Sequence, residues 1–295
     1  MERPARANMI GTRESRHNIL RMELIVFDLD GTLLDSQGAV SDYTRDTLVK
    51  LSDLGVAYTV ATGRTLHAAR ELLAPHGFRL PQVYKNGVMI WDPVSDDYSH
   101  SNFLSLTEVE QVLGAVLGQH LAPFVFTLEP GNRHAIYHAP LQTEIERRLA
   151  RDFSGRSEVR VRPLSELPAD AEITNVSALG AAGAIGAVES LIRSEPHLVA
   201  YAGNAWEGGD WRWIDVHHSE ASKGGAIDTL REQLGASRVV CFGDSDNDLS
   251  MFDRADESYA PDNAADHVKE AASAVIGHHD EDGIARFLRQ RFALE

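Results

Sequence analysis

The stretch Leu24-Ile25-Val26-Phe27-Asp28-Leu29-Asp30-Gly31-Thr32-Leu33 decides how this chain is read. Four consecutive apolar residues that stop at a carboxylate fit a parallel strand covered on both faces, with its carboxyl end opening on a site. Alternation along an extended chain points Asp28 and Asp30 the same way, and Gly31 permits a sharp turn behind them. Such a pair offers a nucleophile with a neighbouring acid/base, or a seat for a hard cation. Taken alone, the segment also fits an ordinary Asp-Gly turn.

Outward from it, Leu48, Leu51 and Leu54 keep helical spacing after the capping residue Ser41 and stop at Gly55. Val56 to Ala61 reads as a second strand, 64–76 as a second helix and 82–85 as a third strand. This alternation predicts an α/β fold with a doubly wound parallel sheet. After Asn86-Gly87 the grammar becomes α+β, with a helix opened by a Thr107/Glu110 capping box, strands near Phe124 and Ala135, a charged helix over 142–152 and strands near Ile173, Leu198 and Trp211. Parallel grammar resumes after Lys223 with the strand 238–242 and a final strand, helix, strand, helix series. The expected division is a disordered leader 1–21, a core made of 22–87 and 217–295, and an inserted α+β domain 88–216. Asn86-Gly87 and the segment from His217 to Ala221 are the expected hinges.

The chain has 295 residues, enough for two domains at about 150 residues each. Its net charge of −16 repels phosphate backbones and anionic lipid, so no nucleic-acid partner is expected. The single cysteine, Cys241, excludes an internal disulfide framework and suits a cytoplasmic address. No run approaches the roughly 18 apolar residues of a membrane span, so no membrane partner is expected. The leader carries five arginines without the apolar stretch of a secretory signal, and Met22 reads as a natural start; an organelle transit segment is the alternative. The sequence carries no signal for an oligomeric state.

A second acidic cluster, Gly243-Asp244-Ser245-Asp246-Asn247-Asp248, follows the apolar strand RVVCF. Three acids in five residues repel one another unless a cation joins them. An EF-hand loop is the competing reading, and it fails because Leu249 stands where that loop needs glycine and Ala255 where it needs glutamate. Between the two acidic tips lie Thr62-Gly63-Arg64, closing a strand, and Ser222-Lys223-Gly224, opening a helix. Together they supply what a bound phosphate needs, namely a hydroxyl, backbone N–H groups and a cation.

In this order the four segments resemble the motifs of the haloacid dehalogenase superfamily. DLDGTL is similar to its first motif, Thr62 in ATGR to its second, Lys223 in SKG to its third and GDSDND to its fourth. KNG at 85–87, YAPDNA at 259–264 and DEDGIARFL at 280–288 resemble landmarks of the Cof-like phosphatase branch, although Pro261 departs from that pattern beside the metal loop. The resemblance implies a Rossmann-like core and a Mg²⁺-dependent phosphatase of a small phosphorylated metabolite, a sugar phosphate or a phosphorylated cofactor such as pyridoxal phosphate or flavin mononucleotide. It makes Asp28 the nucleophile that forms an aspartyl-phosphate and Asp30 the general acid and then base. Asp28, the backbone carbonyl of Asp30, and Asp244 would hold Mg²⁺, with Asp248 behind them. Thr62, Gly63 and Lys223 would bind the phosphoryl group, with Asn247 in support.

The gap between Asp28 and Thr62 is already filled by one helix and one strand, so the insert falls between Thr62 and Lys223, where the resemblance implies a large α/β cap that reads the leaving group. A phosphomannomutase-like phosphomutase and a non-catalytic phosphometabolite-binding protein are the alternatives, and the pairing of Asp28 with Asp30 argues against the second. His134 and His138 read as ordinary surface histidines, and Trp206, Trp211 and Trp213 as packing within the cap. GxSxG, Walker, HExxH and GxGxxG patterns are absent.

Overall fold

The computed structural model describes residues 22–295 apart from 157–158 and 206–208. The leader 1–21 and Trp206 therefore lie outside the described residues. The deciding apolar run forms β1 (Glu23–Phe27), in which Leu24 through Phe27 are all fully buried. Side chains on both faces of the strand are covered, as its unbroken apolar run requires.

The helix α1 (Asp42–Asp53) starts where Ser41 accepts the Thr44 N–H, at 3.0 Å, and leads to β2 (Ala57–Val60). The helix α2 (Leu66–Leu73) begins two residues later than expected, because Thr65 takes the capping role with its Oγ1 accepting from Ala68 N at 3.2 Å. The expected third strand, β3 (Gln82–Tyr84), meets the parallel sheet at a bridge between Ala61 and Val83, where Thr62 N donates to Val83 O at 3.0 Å. It pairs antiparallel with β4 (Met89–Asp92), which pairs in turn with β5 (Asp97–Ser101).

The span 88–101 is expected in the insert; Ile90 and Trp91 join the two apolar clusters that hold the side chains of β1, while Val88 and Met89 cluster with Leu128 of the insert. Pairing of Ile90 with Val83 and of Trp91 with Gln82 sets these two side chains beyond β3, on the side of the parallel sheet where β2 lies. Further along, Leu104 forms an isolated bridge with Ile173.

The insert opens with α3 (Leu106–Gly118). Its capping box is Ser105 with Glu108, not Thr107 with Glu110: Ser105 N donates to the Glu108 carboxylate at 2.6 Å and Glu108 N to Ser105 Oγ at 3.3 Å. Both pairs have the required spacing, and the helix starts at the earlier one. Then come β6 (Phe124–Glu129), β7 (Arg133–His138), α4 (Glu144–Ser154), β8 (Val159–Pro163), β9 (Glu172–Ala181), α5 (Ala182–Ile192), β10 (Leu198–Asn204) and β11 (Trp211–His218). The six strands form one sheet in the order β10-β11-β9-β6-β7-β8. Val125, Val176, Ile214 and Val216 bury one of its faces against Val112 and Val116 of α3 and Ile185 and Val188 of α5. His217, expected to begin the returning core, is still paired within β11.

The chain returns through α6 (Lys223–Leu234), β12 (Arg238–Phe242), the short α7 (Leu249–Phe252), β13 (Glu257–Pro261), α8 (Asp266–Ala271), β14 (Ala274–Ile276) and α9 (Gly283–Phe292). The core sheet runs β14-β13-β12-β1-β2 with all neighbours parallel. Strand β1 lies between β12 and β2, so the tips bearing Asp28, Gly243 and Thr62 open at one edge.

His134 departs from its expected surface setting. It is half-buried where insert meets core, edge-on to His67 with ring centroids 4.6 Å apart, and its Nε2 is 2.9 Å from the Tyr98 hydroxyl. Burial holds its pKa down to about 3.

Candidate active site

Strand hydrogen bonding sets the site. Asp28 N donates to Phe242 O at 2.9 Å and Ala61 N to Phe27 O at 2.8 Å, which brings three strand ends level. Behind Asp28 the chain turns at Gly31, whose φ of +73° suits glycine, and a Cβ there would strike the Asp244 carboxylate. Asn263 Nδ2 donates to Gly31 O at 2.7 Å, so the YAPDNA segment fixes the turn from outside.

Lys223, the first residue of α6 behind the cap Ser222, is fully buried. Its Nζ lies 2.5 Å from Asp28 Oδ1 and 2.6 Å from Asp248 Oδ1. The other oxygen of Asp248 accepts from Asp244 N at 2.9 Å and Ser245 N at 3.0 Å, which shapes the acidic loop. Asp244 Oδ1 accepts from Thr32 Oγ1 at 2.8 Å. Oxygens of Asp28, Asp244 and Asp248 lie within 4.8 Å of one another.

Three carboxylates around a single ammonium leave surplus negative charge. Burial, reinforced by Asp248 and Asp244 against the opposing pull of Lys223, raises the Asp28 pKa well above the usual carboxylate range. Burial alone would lower Lys223, but Asp248 and Asp28 reverse this and its pKa is raised. A cluster of hard oxygen donors carrying excess charge fits a small divalent cation.

Thr62 is buried, with its Oγ1 accepting from Arg64 N at 3.1 Å. Asn86 ties two segments together: its N–H donates to Thr62 O at 3.0 Å and its Oδ1 accepts from Asn247 Nδ2 at 2.9 Å. Lys85, Asn86 and Gly87 all have positive φ, and a Cβ on Gly87 would run into the backbone of Ser222. Close approach of the KNG turn to the SKG helix start accounts for that glycine.

A cavity of about 830 Å³ joins Asp28, Asp30, Thr62, Gly63 and Asn247 to residues of the insert. The expected residues Lys223, Asp244 and Asp248 sit directly beneath it around Asp28. Asp30 stands apart from that cluster, its carboxylate held by Arg64. The insert contributes, among others, the charged Glu189, Arg193, Arg212 and Asp215 together with Tyr201 and Trp213. Trp213 was expected in packing; instead it is 39% exposed and lines the cavity. The sequence did carry a signal for Asp215, a lone acid in the strand WRWIDVHH with the same parity as Trp213.

Comparison with known proteins places the chain. Residues 25–288 match the profile of the haloacid dehalogenase-like hydrolases, and the chain belongs to this family. It is 26% identical over 92% of its length, and 98% of the other chain, to the 5-amino-6-(5-phospho-D-ribitylamino)uracil phosphatase YitU of Bacillus subtilis. It is 23% identical, over 90% of its length and 97% of the other, to the pyridoxal phosphate phosphatase YbhA of Escherichia coli. A solved haloacid dehalogenase-like hydrolase from B. subtilis shares the fold at a TM-score of 0.74 and 23% identity, with coverage of 91% and 99%.

Proposed function

We propose that this haloacid dehalogenase-like hydrolase is a phosphatase that uses Mg²⁺ to hydrolyse the monoester of a small phosphorylated metabolite through an aspartyl-phosphate. The observation that carries the reading is the buried contact between Asp28 and Lys223 inside a three-carboxylate cluster, at the floor of a cavity large enough for a metabolite. The named relatives act on a phosphoribityl-aminouracil and on pyridoxal phosphate, which supports a sugar-like or cofactor-like ester as the substrate class.

In this account the Asp28 carboxylate attacks phosphorus, the bond from phosphorus to the ester oxygen breaks, and Asp30 gives that oxygen its proton. Asp30 then takes a proton from the water that attacks the aspartyl-phosphate, which releases inorganic phosphate and restores Asp28. Lys223, the Thr62 hydroxyl and the Gly63 N–H oppose charge on the phosphoryl oxygens, and Asn247 supports them. Asp28, the Asp30 carbonyl and Asp244 would hold Mg²⁺, with Asp248 behind them, and the bound cation would neutralise the carboxylates and polarise the phosphoryl group. The division of labour assigns chemistry to the core and recognition of the leaving group to the insert.

A phosphomutase would share the first half of this sequence and return the phosphoryl group to substrate. The experiment is release of inorganic phosphate from a panel of phosphorylated metabolites with Mg²⁺ present. Sustained release beyond one equivalent per enzyme supports the phosphatase; isomerised phosphoester with no free phosphate would replace it with the mutase.

A further inference from the structure

Alternation along β11 puts Trp213 and Asp215 on one face, and both line the cavity that contains Asp28. Trp213 is paired across the sheet with Gly203, and a Cβ on Gly203 would meet its indole at 2.7–2.9 Å. The ring therefore lies over a residue with no side chain and presents its remaining surface to the cavity.

Asp215 is held unlike a surface carboxylate. Its Oδ1 accepts from Asn175 Nδ2 at 3.0 Å and from the hydroxyl of Ser177, its partner on β9. Among the described residues its Oδ2 accepts no hydrogen bond. Trp213 and Asp215 also line an adjoining cavity of about 430 Å³ that contains the buried Lys85, whose ammonium sits 4.0 Å over the Phe126 ring. Burial pushes the Asp215 pKa up, but Lys85 above all, then His217, Ser177 and Asn175, more than reverse this and the net direction is down. The chain thus keeps a charged, oriented acceptor in the reaction cavity, one oxygen fixed and the other free.

We propose that Asp215 determines specificity: its free oxygen accepts from a hydroxyl or amine on a leaving group whose flat face rests on Trp213, and its fixed charge turns away leaving groups bearing a carboxylate or second phosphate there. This rests on the phosphatase reading. A site built to pair a substrate donor discriminates strongly against analogues lacking it, because the buried acceptor is then left unpaired. Rejection of anionic competitors by a charge already in place adds to the selection.

The test compares kcat/KM for hexose and alditol monophosphates, their monodeoxy analogues, the corresponding bisphosphates and p-nitrophenyl phosphate, using wild type, Asp215→Ala and Asp215→Asn. Expected for Asp215→Ala is a loss above tenfold on the best monophosphate, with less than threefold on p-nitrophenyl phosphate and on the deoxy analogue lacking the recognised hydroxyl. Asp215→Asn should recover part of that loss and improve the bisphosphates at least threefold. If the alanine variant fails to fold by circular dichroism, the asparagine variant carries the test through the bisphosphates. An equal loss on every substrate, or none on any, overturns the assignment. Absence of phosphate release by wild type from all of them, p-nitrophenyl phosphate included, overturns the phosphatase reading itself.

Discussion

Arg64 forks onto Asp30, its Nε 2.7 Å from Oδ2 and its Nη2 2.5 Å from Oδ1. Asp30 is otherwise exposed, so this bidentate contact is what orients its carboxylate at the cavity. For Asp30 to protonate the leaving oxygen as proposed, one of its two oxygens must come free of Arg64 while the other stays held. Arg64→Ala should then lower kcat by ~10-fold for metabolite esters and much less for p-nitrophenyl phosphate, whose leaving group needs little protonation. Equal effects on both esters would show that the fork does not serve proton transfer.

Lys223 is the only cation in contact with the buried Asp28 and Asp248 among the described residues. Removing one partner from a buried ion cluster leaves uncompensated charge and costs about 3–5 kcal/mol. Lys223→Met should therefore lower Tm by ~5–10 °C and abolish turnover. Mg²⁺ should raise the melting temperature of the variant more than that of wild type, since the variant's carboxylates lack their ammonium. A variant melting within a degree of wild type would refute the electrostatic account of the cluster.

Chelation with EDTA should stop phosphate release, and Mg²⁺ should restore it, whereas Ca²⁺ should not. Mg²⁺ demands near-octahedral oxygen geometry, while Ca²⁺ accepts about six to eight ligands and can engage both oxygens of Asp28, hindering its attack. Undiminished turnover in excess EDTA contradicts the role given to Asp28, Asp30 and Asp244.

His217 is fully buried beside Asp215, and burial, outweighing the pull of that carboxylate, lowers its pKa to about 4. In the unfolded chain it titrates near its ordinary 6.5. Above that value both states are neutral and nothing is lost. As pH falls from there to about 4 only the unfolded state takes up the proton, so stability declines. At pH 5 the loss amounts to about 2 kcal/mol from this one residue. His217→Gln should flatten the fall in Tm between pH 7 and pH 5 (~2 units); an identical slope in both proteins would refute the assignment.

The sequence made the core legible because its strands are continuous apolar runs ending in functional residues, as at Phe27-Asp28 and Phe242-Gly243. Lys223 is legible only as part of a set, since a lysine in a helix's first turn is ordinarily solvated, and its burial depends on Asp28 at the tip of β1 and Asp248 in the turn after β12. Local pattern cannot say that in the hairpin of β4 and β5 Ile90 and Trp91 join the clusters of the core while Met89 joins Leu128 of the insert. The same limit hid Trp213, whose exposure follows from Gly203 on the neighbouring strand. Arg64 is visible in the sequence only by its place after Thr62-Gly63; its fork on Asp30 spans 34 residues and comes from the fold.

The most direct measurement is inorganic phosphate release by wild type and Asp28→Asn, side by side, over phosphorylated metabolites with Mg²⁺. An amide keeps the carboxylate's shape but is a poor nucleophile and a poor ligand for a hard cation, so the variant should fold and lose at least ~10³-fold in kcat, about 4 kcal/mol of barrier. A folded variant that retains more than a tenth of wild-type turnover would contradict covalent catalysis at Asp28.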